Sequence, residues 1–291
     1  MLVALFPGQG SLKPEMGAPW VDHEAFTVVD EIAEAAAMDV RGLLLNTPLE
    51  VLVRTDNAQI ATFALSMVIA RASGVHADLA IGHSLGEYSA LAYAGILDQR
   101  DAARLVAARG RAMVMAAELT EGSMLAVLGA DEAAIMQATE DLDTVVVANQ
   151  NAPGQIVVAG SVAQLGILKQ EARERGLRKV IPLEVGGAFH SPLMAPAQVQ
   201  LEGALDHTTF HEGSINVVAN VDAAPHAGGA QWRDLLRAQL IGTVRFVDSV
   251  AQLPSDASFV ELGAGGVLAG LVRRISPDAT VRTIAIPDDL S

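Results

Sequence analysis

A serine between two glycines, in the segment Gly82-His83-Ser84-Leu85-Gly86, is the first candidate for chemistry. The apolar run 79–81 before it indicates a short buried strand, and the residues after it carry apolar side chains at helical spacing. G-x-S-x-G at a strand-to-helix turn is the pattern of a nucleophile elbow, which holds a serine hydroxyl out in a strained turn. The pattern therefore predicts that Ser84 is a nucleophile; the alternative is a serine that caps a helix beside a tight turn.

A serine hydroxyl needs a general base within hydrogen-bond reach, and the chain offers seven histidines. His190 has the position best suited to this role. It follows Gly186 and Gly187, which allow close backbone approach, and it precedes Ser191-Pro192, which can open a helix. A histidine at such a loop-to-helix junction can face a cleft, so we expect His190 to be the base; a buried structural histidine is the alternative.

Arg109 lies in the middle of the apolar stripe of a helix predicted over 98–116. At about 100° per residue, apolar residues surround it on one face, whereas Arg100, Arg104 and Arg111 fall on the opposite face. A buried guanidinium needs an acceptor, and its fork of donors fits a substrate carboxylate. The alternatives are a structural salt bridge and a side chain that extends to solvent.

An acyl-transfer intermediate also needs N–H donors for its oxyanion. In a nucleophile elbow the residue after the nucleophile supplies one backbone N–H, here Leu85. Gln9, between two glycines directly after the first predicted strand, is placed to supply the second. A glycine-rich phosphate loop is the rival interpretation of that segment, although it contains neither GxxxxGK[ST] nor GxGxxG.

The predicted elements place these residues in an α/β protein. Strands and helices alternate from the first residues onward, which favours a parallel sheet covered on both faces. Residues 122–187 instead follow the order β-α-β-β-α-β, which is ferredoxin-like. We therefore predict a large α/β subdomain over 1–121 and 188–291, with a small ferredoxin-like subdomain inserted. The last predicted elements are the strand SFVEL and the helix VLAGLVRRI.

Composition excludes several classes of protein. The chain has 291 residues, 51% of them hydrophobic, which is enough to bury a large core. The absence of cysteine excludes disulfides, thiolate metal sites and cysteine nucleophiles. A net charge of −15 argues against nucleic acid and anionic membranes as partners. With no basic N-terminal region and no apolar stretch of about 20 residues, we expect a soluble cytoplasmic protein.

The segments FPGQGS, GHSLGEYSA, RGRAM, NAPGQIVVAG, GAFHSPLM and ELGAGGVLAGL, in this order, make the chain resemble the malonyl-CoA:acyl carrier protein transacylases. These are relatives of the acyltransferase domains of fatty acid and polyketide synthases, and the resemblance covers essentially the whole chain. It implies an α/β-hydrolase-like large subdomain, an inserted ferredoxin-like subdomain and an active site between them. It also implies that Ser84 is the nucleophile, His190 the general base and Arg109 the carboxylate clamp.

The resemblance implies further roles. The backbone N–H groups of Gln9 and Leu85 would form the oxyanion hole, and the backbone carbonyl of Gln239 would orient the base. Phe189 would fill the space that an α-methyl group of the acyl chain needs. The implied reaction moves malonyl from malonyl-CoA, through an ester on Ser84, to the phosphopantetheine thiol of an acyl carrier protein. It requires no metal or redox cofactor, and we expect a monomer.

The chain departs from the family pattern at Leu12, where glutamine is usual, at Ala264, where proline is common, and at QLIGTV, which replaces an Asn-Pro pair. These positions bear on carrier docking and acyl preference rather than on the reaction. The alternatives are an acyltransferase-like hydrolase, a trans-acting acyltransferase for another acyl group, and a non-catalytic carrier-binding module. A buried Arg109 favours malonyl over acyl groups without a carboxylate, and the presence of Ser84 and His190 argues against a non-catalytic module.

Overall fold

Two separate β-sheets organise the chain, one mainly parallel and one antiparallel. The computed structural model describes the backbone of residues 1–291 and every side chain except that of Ser11. The strands of the described chain are β1 (Leu2–Phe6), β2 (Leu79–Gly82), β3 (Gly122–Leu128), β4 (Val146–Ala152), β5 (Gln155–Ser161), β6 (Lys179–Pro182), β7 (Asn216–Val218), β8 (Pro225–His226), β9 (Ser258–Leu262) and β10 (Thr280–Ile284). Its α-helices are α1 (Val28–Ala36), α2 (Val40–Leu45), α3 (Leu49–Leu52), α4 (Thr55–Ser73), α5 (Gly86–Tyr93), α6 (Gln99–Leu119), α7 (Glu132–Ala138), α8 (Val162–Gln170), α9 (Ala195–Asp206), α10 (Gln231–Gln239), α11 (Phe246–Ala251) and α12 (Val267–Ile275).

The larger sheet has the strand order β10-β9-β1-β2-β7-β8, and its neighbours are parallel except for β7 and β8. This confirms the predicted parallel sheet. Strands β1 and β2 are almost continuous buried apolar runs, as expected for strands covered on both faces. Since parallel strands point the same way, the carboxyl ends of β1, β2, β7 and β9 lie at one edge. The loops that follow these strands therefore meet.

The smaller sheet is antiparallel, with the order β4-β5-β3-β6. Helix α7 connects β3 to β4 and helix α8 connects β5 to β6, so the element order is the predicted β-α-β-β-α-β. This sheet has an apolar core of its own, in which Leu125, Val158 and Leu168 are buried. The chain thus builds three apolar cores, and the buried residues of this one all lie between 125 and 177.

Two helices carry residues that matter below. Helix α4 spans 19 residues, and its residues 58–69 are all buried. Helix α6 buries the stripe predicted around Arg109, and it leaves Arg104 and Arg111 exposed. Among the residues that the structure describes, no helix is both long enough and apolar enough to cross a membrane.

The turn from β2 into α5 depends on two glycines. A Cβ atom built on Gly82 would lie 2.0 Å from the carbonyl carbon of Gly86, and one built on Gly86 would lie 1.9 Å from the carbonyl oxygen of Phe6. Both distances are far shorter than any van der Waals contact, and the atoms met are backbone. The strand, the turn and the helix can approach this closely only because both positions lack a side chain.

We predict that Gly86→Ala lowers the free energy of unfolding by more than about 3 kcal/mol, because the backbone of β1 cannot move away from the new methyl group. Gly166→Ala is the matched control, since Gly166 lies within α8 and its Cβ would meet no atom within 4 Å. This control should raise stability by about 0.5–1 kcal/mol. Urea unfolding of both variants measures the difference, and equal stabilities would contradict the close crossing.

Candidate active site

Ser84 lies in the turn between β2 and α5, with a backbone φ of +54°. This left-handed conformation is uncommon for residues other than glycine and is a recognised form of strain at functional sites. The strained backbone is held by a side chain from the neighbouring strand edge, because the Ser84 N–H donates to Oδ1 of Asn220 at 2.7 Å. Asn220 follows β7 and also donates from Nδ2 to the carbonyl of Gly82 at 2.7 Å. The elbow predicted from the sequence is therefore present.

His190 is 4% exposed and contacts Ser84 directly. Its Nε2 lies 2.7 Å from Oγ of Ser84, and its Nδ1 lies 2.8 Å from the backbone carbonyl oxygen of Gln239. Because a carbonyl oxygen only accepts, Nδ1 carries the proton and Nε2 is the acceptor that faces the hydroxyl. The Ser84 hydroxyl can therefore donate to His190, which is the geometry of a nucleophile and its base.

The environment of His190 keeps its imidazole neutral. Burial, and after it the positive charge of Arg109, lower the pKa of His190 to about 3, although the hydrogen bond to the Gln239 carbonyl acts in the opposite direction. A histidine with a pKa this far below its ordinary value is unprotonated at neutral pH. It can therefore accept a proton whenever a substrate arrives.

Arg109 is 1% exposed, as its position on α6 predicted. Its Nη1 donates to Oε1 of Gln59 at 2.8 Å, and its Nη2 donates to Oε1 of Gln239 at 3.0 Å and to Oγ of Ser84 at 3.1 Å. The guanidinium carbon also lies 5.5 Å from the centroid of the Tyr88 ring. These hydrogen-bond acceptors are uncharged, and burial lowers the pKa of Arg109. The cation therefore sits beside the nucleophile and can bind an anion from outside.

A cavity of about 230 Å³ opens beside Ser84, His190 and Arg109. Both sheets contribute to its wall, which is mostly apolar; the lining includes Met113, Met124, Asn149, Val157, Leu183, Val185, Phe189, Leu268 and Leu271. The buried Phe189 precedes the histidine. A small acyl group with one charged end would find a cation, a nucleophile and an apolar surface here.

Gln9 and Leu85, the two predicted oxyanion donors, both line this cavity. Among the described residues, neither backbone N–H has a protein acceptor. The loop after β1 is held against the elbow, because a Cβ on Gly8 would lie 2.9 Å from the carbonyl oxygen of His83. The two amides are therefore available at the same end of the cavity. Their role as an oxyanion hole stays a prediction.

Several polar residues of the site were not predicted from the sequence. Asn220 lies two residues after β7, and an asparagine after a short apolar run is a signal that could have found it. Glu87 is a carboxyl group within an otherwise apolar helix, and burial raises its pKa to about 8. Gln59 lies inside α4, where only the fold reveals its partner. Oδ1 of Asn151 accepts from Nε2 of His83 at 2.8 Å, and this hydrogen bond ties His83 to the antiparallel sheet.

No cluster of three or more histidine, aspartate or glutamate side chains that could hold a metal ion occurs in the described part of the chain. The site brings together a serine hydroxyl, a neutral imidazole, two backbone amides and a guanidinium. This set is suited to acyl transfer through a serine ester.

Comparison with known proteins supports the same interpretation. Residues 3–284 match the family model described as an acyl transferase domain. A malonyl CoA-acyl carrier protein transacylase of Bacillus subtilis is 38% identical over 295 residues, which cover 98% of this chain and 92% of the relative. The crystal structure of the Xanthomonas oryzae malonyl-CoA:acyl carrier protein transacylase matches with a TM-score of 0.93 and 37% identity, over 99% of this chain and 95% of that chain. A structure of a type II PKS acyl-carrier protein in complex with its malonyl-transacylase contains a chain that matches with a TM-score of 0.93 and 31% identity, over 99% and 97% of the two chains.

We predict that the His190 imidazole does not titrate between pH 5 and 8 in a ¹⁵N NMR titration, whereas a midpoint near the ordinary value of 6.5 would contradict its burial. The His190 imidazole binds a proton more tightly in the unfolded chain than in the folded one. The stability that His190 contributes is therefore complete above pH 6.5 and is lost as the pH falls towards 3. Relative to that of His190→Ala, the free energy of unfolding of the wild type should fall by about 1 kcal/mol for each pH unit below 6.5. The exposed His76→Ala serves as the control.

Proposed function

The chain belongs to the acyl transferase domain family, and from this we propose that it transfers malonyl from malonyl-CoA to the phosphopantetheine thiol of an acyl carrier protein. The observation that carries the proposal is the buried guanidinium of Arg109, which lies 3.1 Å from the nucleophile Oγ and has uncharged hydrogen-bond acceptors. Malonyl differs from acetyl by a carboxylate, and this cation is placed to bind it. Relatives named malonyl transacylases, including one solved with a carrier protein, support the same assignment.

The first half-reaction forms an ester on Ser84. The hydroxyl proton moves to Nε2 of His190 while Oγ attacks the thioester carbonyl carbon and forms a C–O bond. The backbone N–H groups of Leu85 and Gln9 stabilise the oxyanion of the tetrahedral intermediate. The C–S bond then breaks, and the sulfur of coenzyme A leaves with the proton that His190 returns.

The second half-reaction uses the same groups in reverse. The phosphopantetheine thiol gives its proton to His190, and its sulfur attacks the ester carbonyl carbon. The bond to Oγ breaks, and Ser84 recovers its proton from the imidazole. Because two substrates use one pocket in turn, the kinetics are ping-pong. The carbonyl oxygen of Gln239 keeps Nδ1 of His190 protonated through both steps, so the base needs no carboxylate partner.

Arg109 and Phe189 set the choice of acyl group in this proposal. The malonyl carboxylate accepts from the guanidinium fork, which can form two parallel hydrogen bonds to it. Phe189 borders the cavity beside the base and occupies the volume that an α-methyl substituent would need. The site thereby favours malonyl over both acetyl and methylmalonyl.

The remaining expectations concern the whole chain. We propose that residues 1–121 and 188–291 form an α/β-hydrolase-like catalytic subdomain and 122–187 a ferredoxin-like one; the two sheets and the separate core of the second support this division. The serine, imidazole and amides suffice for the steps above, so we propose that no metal or redox cofactor takes part. A monomeric state, a cytoplasmic location and the absence of nucleic acid and membrane partners stay predictions from the sequence.

We predict that malonyl-CoA alone adds one malonyl group to the protein, on Ser84, and that Ser84→Ala abolishes both the adduct and transfer to the carrier. Intact-protein mass spectrometry with peptide mapping measures the adduct. Ser255→Ala, which removes an exposed hydroxyl, is the control and should label like wild type. An adduct that persists in Ser84→Ala would overturn the assignment of the nucleophile, and release of free malonate in the presence of carrier would favour a hydrolase.

We predict that Arg109→Ala depresses kcat/KM for malonyl-CoA by about 10-fold to 100-fold and leaves that for acetyl-CoA similar or higher, since only malonyl loses a charged hydrogen bond worth about 1.5–3 kcal/mol. Arg109→Lys keeps the positive charge but loses the fork of donors, so its kcat/KM for malonyl-CoA should lie between those of wild type and Arg109→Ala. Arg111→Ala, on the exposed face of the same helix, is the matched control. Equal slowing of both donors by Arg109→Ala would make Arg109 a structural residue.

A further inference from the structure

Glu87 is a buried carboxyl group directly beneath the elbow. It lies in the first turn of α5, three residues after the nucleophile, and is 1% exposed. It does not line the cavity, so it has no contact with a substrate bound there. A buried carboxylate is expensive unless hydrogen bonds and charge compensate it, and the neighbours that do so here are parts of the site.

The two oxygens of Glu87 accept from two different elements. Oε1 accepts the backbone N–H of Asn220 at 2.6 Å, and Oε2 accepts Nε2 of Gln239 at 2.6 Å. Asn220 holds the N–H of Ser84 through its side chain. Gln239 donates to the carbonyl of Ser84 at 2.8 Å and accepts from Arg109 at 3.0 Å. One carboxyl group thus joins the nucleophile and the guanidinium.

The polarity of these contacts is fixed. The Ser84 carbonyl only accepts and a guanidinium only donates, so the amide of Gln239 must turn Nε2 towards Ser84 and Oε1 towards Arg109. Nε2 then also faces Glu87, where an acceptor is required. The backbone N–H of Asn220 requires a second acceptor at the same side chain. An ionised carboxylate satisfies both donors, whereas an amide at position 87 would direct an NH₂ group at one of them.

We infer that Glu87 is a positioning residue for the choice of acyl-CoA substrate. As an anion that only accepts hydrogen bonds, it fixes the amide of Gln239. This amide in turn holds the guanidinium of Arg109 where the malonyl carboxylate binds. The inference rests on the proposed malonyl transfer. Charge supports it, because Arg109 stabilises the anion across Gln239. The groups that act on the Glu87 carboxyl are the amides of Asn220 and Gln239 and the charges of Arg109 and Asp222. Burial raises the pKa of Glu87 to about 8, so the anion predominates in mildly basic solution.

The test is a double-mutant cycle that combines Glu87→Gln with Arg109→Ala, with transfer to carrier from malonyl-CoA and acetyl-CoA measured at pH 8.5. We expect Glu87→Gln to lower the ratio of the two kcat/KM values about tenfold when Arg109 is present, and to leave the ratio unchanged when Arg109 is alanine. If Glu87 had only a structural role, Glu87→Gln would slow transfer from malonyl-CoA and from acetyl-CoA alike, with or without Arg109→Ala. An equal loss of the ratio in both backgrounds, or no loss in either, overturns the inference.

Two further variants keep the result interpretable. Glu261→Gln makes the same chemical change at another buried glutamate, whose Oε2 accepts the N–H of Ala269 at 2.7 Å. It should leave the ratio of the kcat/KM values for malonyl-CoA and acetyl-CoA as in wild type. Glu87→Asp keeps the charge, but its side chain is too short to accept from both Asn220 and Gln239. We therefore expect an intermediate ratio, which can be measured even if Glu87→Gln does not fold. A wild-type ratio in Glu87→Asp overturns the inference. A wild type that transfers acetyl as fast as malonyl overturns the proposed function, and this inference with it.

Discussion

Burying a guanidinium removes the water that solvates its charge, and the protein must replace that water with acceptors. Arg109 is 1% exposed, and the structure surrounds it with the amide oxygens of Gln59 and Gln239, the Ser84 hydroxyl and the face of Tyr88. Much of the site follows from this one charge. It explains why a long buried helix, α4, carries a glutamine in its second turn, and it contributes to the low pKa of His190.

The parallel sheet brings the other groups to the same place. Because its strands share one direction, the loop with Gln9, the elbow with Ser84 and the segment with Asn220 emerge at one edge. His190 and Gln239 reach that edge from outside the sheet, from a loop and from the end of α10. The antiparallel sheet contributes Met124 and Val157 to the cavity wall, and both pack into the main apolar core.

The sequence predicted best where local pattern and function coincide. The glycines around Ser84 mark a turn that the backbone could not otherwise make, and the helical phase of Arg109 correctly predicted its burial. The strand SFVEL and the helix VLAGLVRRI were predicted to the residue. Each of these signals lies within a few residues of the feature it predicts, so no knowledge of the tertiary structure was needed.

Other parts of the structure were not predicted. Strand β7 is three residues long, too short for a pattern to show. Strand β10, α10 and α11 were also missed, although β10 alternates in exposure as a half-buried strand does. The carbonyl of Gln239 faces His190 because of tertiary packing, and a backbone oxygen has no signature in a sequence. Only the family resemblance pointed to it. The partners of Gln59, Glu87 and Asn220 lie more than 45 residues away along the chain or on other elements, which periodicity cannot detect.

The left-handed backbone of Ser84 limits how this protein could change during evolution. At a φ of +54°, a side chain branched at Cβ collides with the adjacent carbonyl groups, so threonine is excluded as a replacement nucleophile although it also has a hydroxyl. Cysteine is unbranched and fits the same turn, so a lineage that abandons the serine while retaining covalent catalysis has a thiol as its accessible choice.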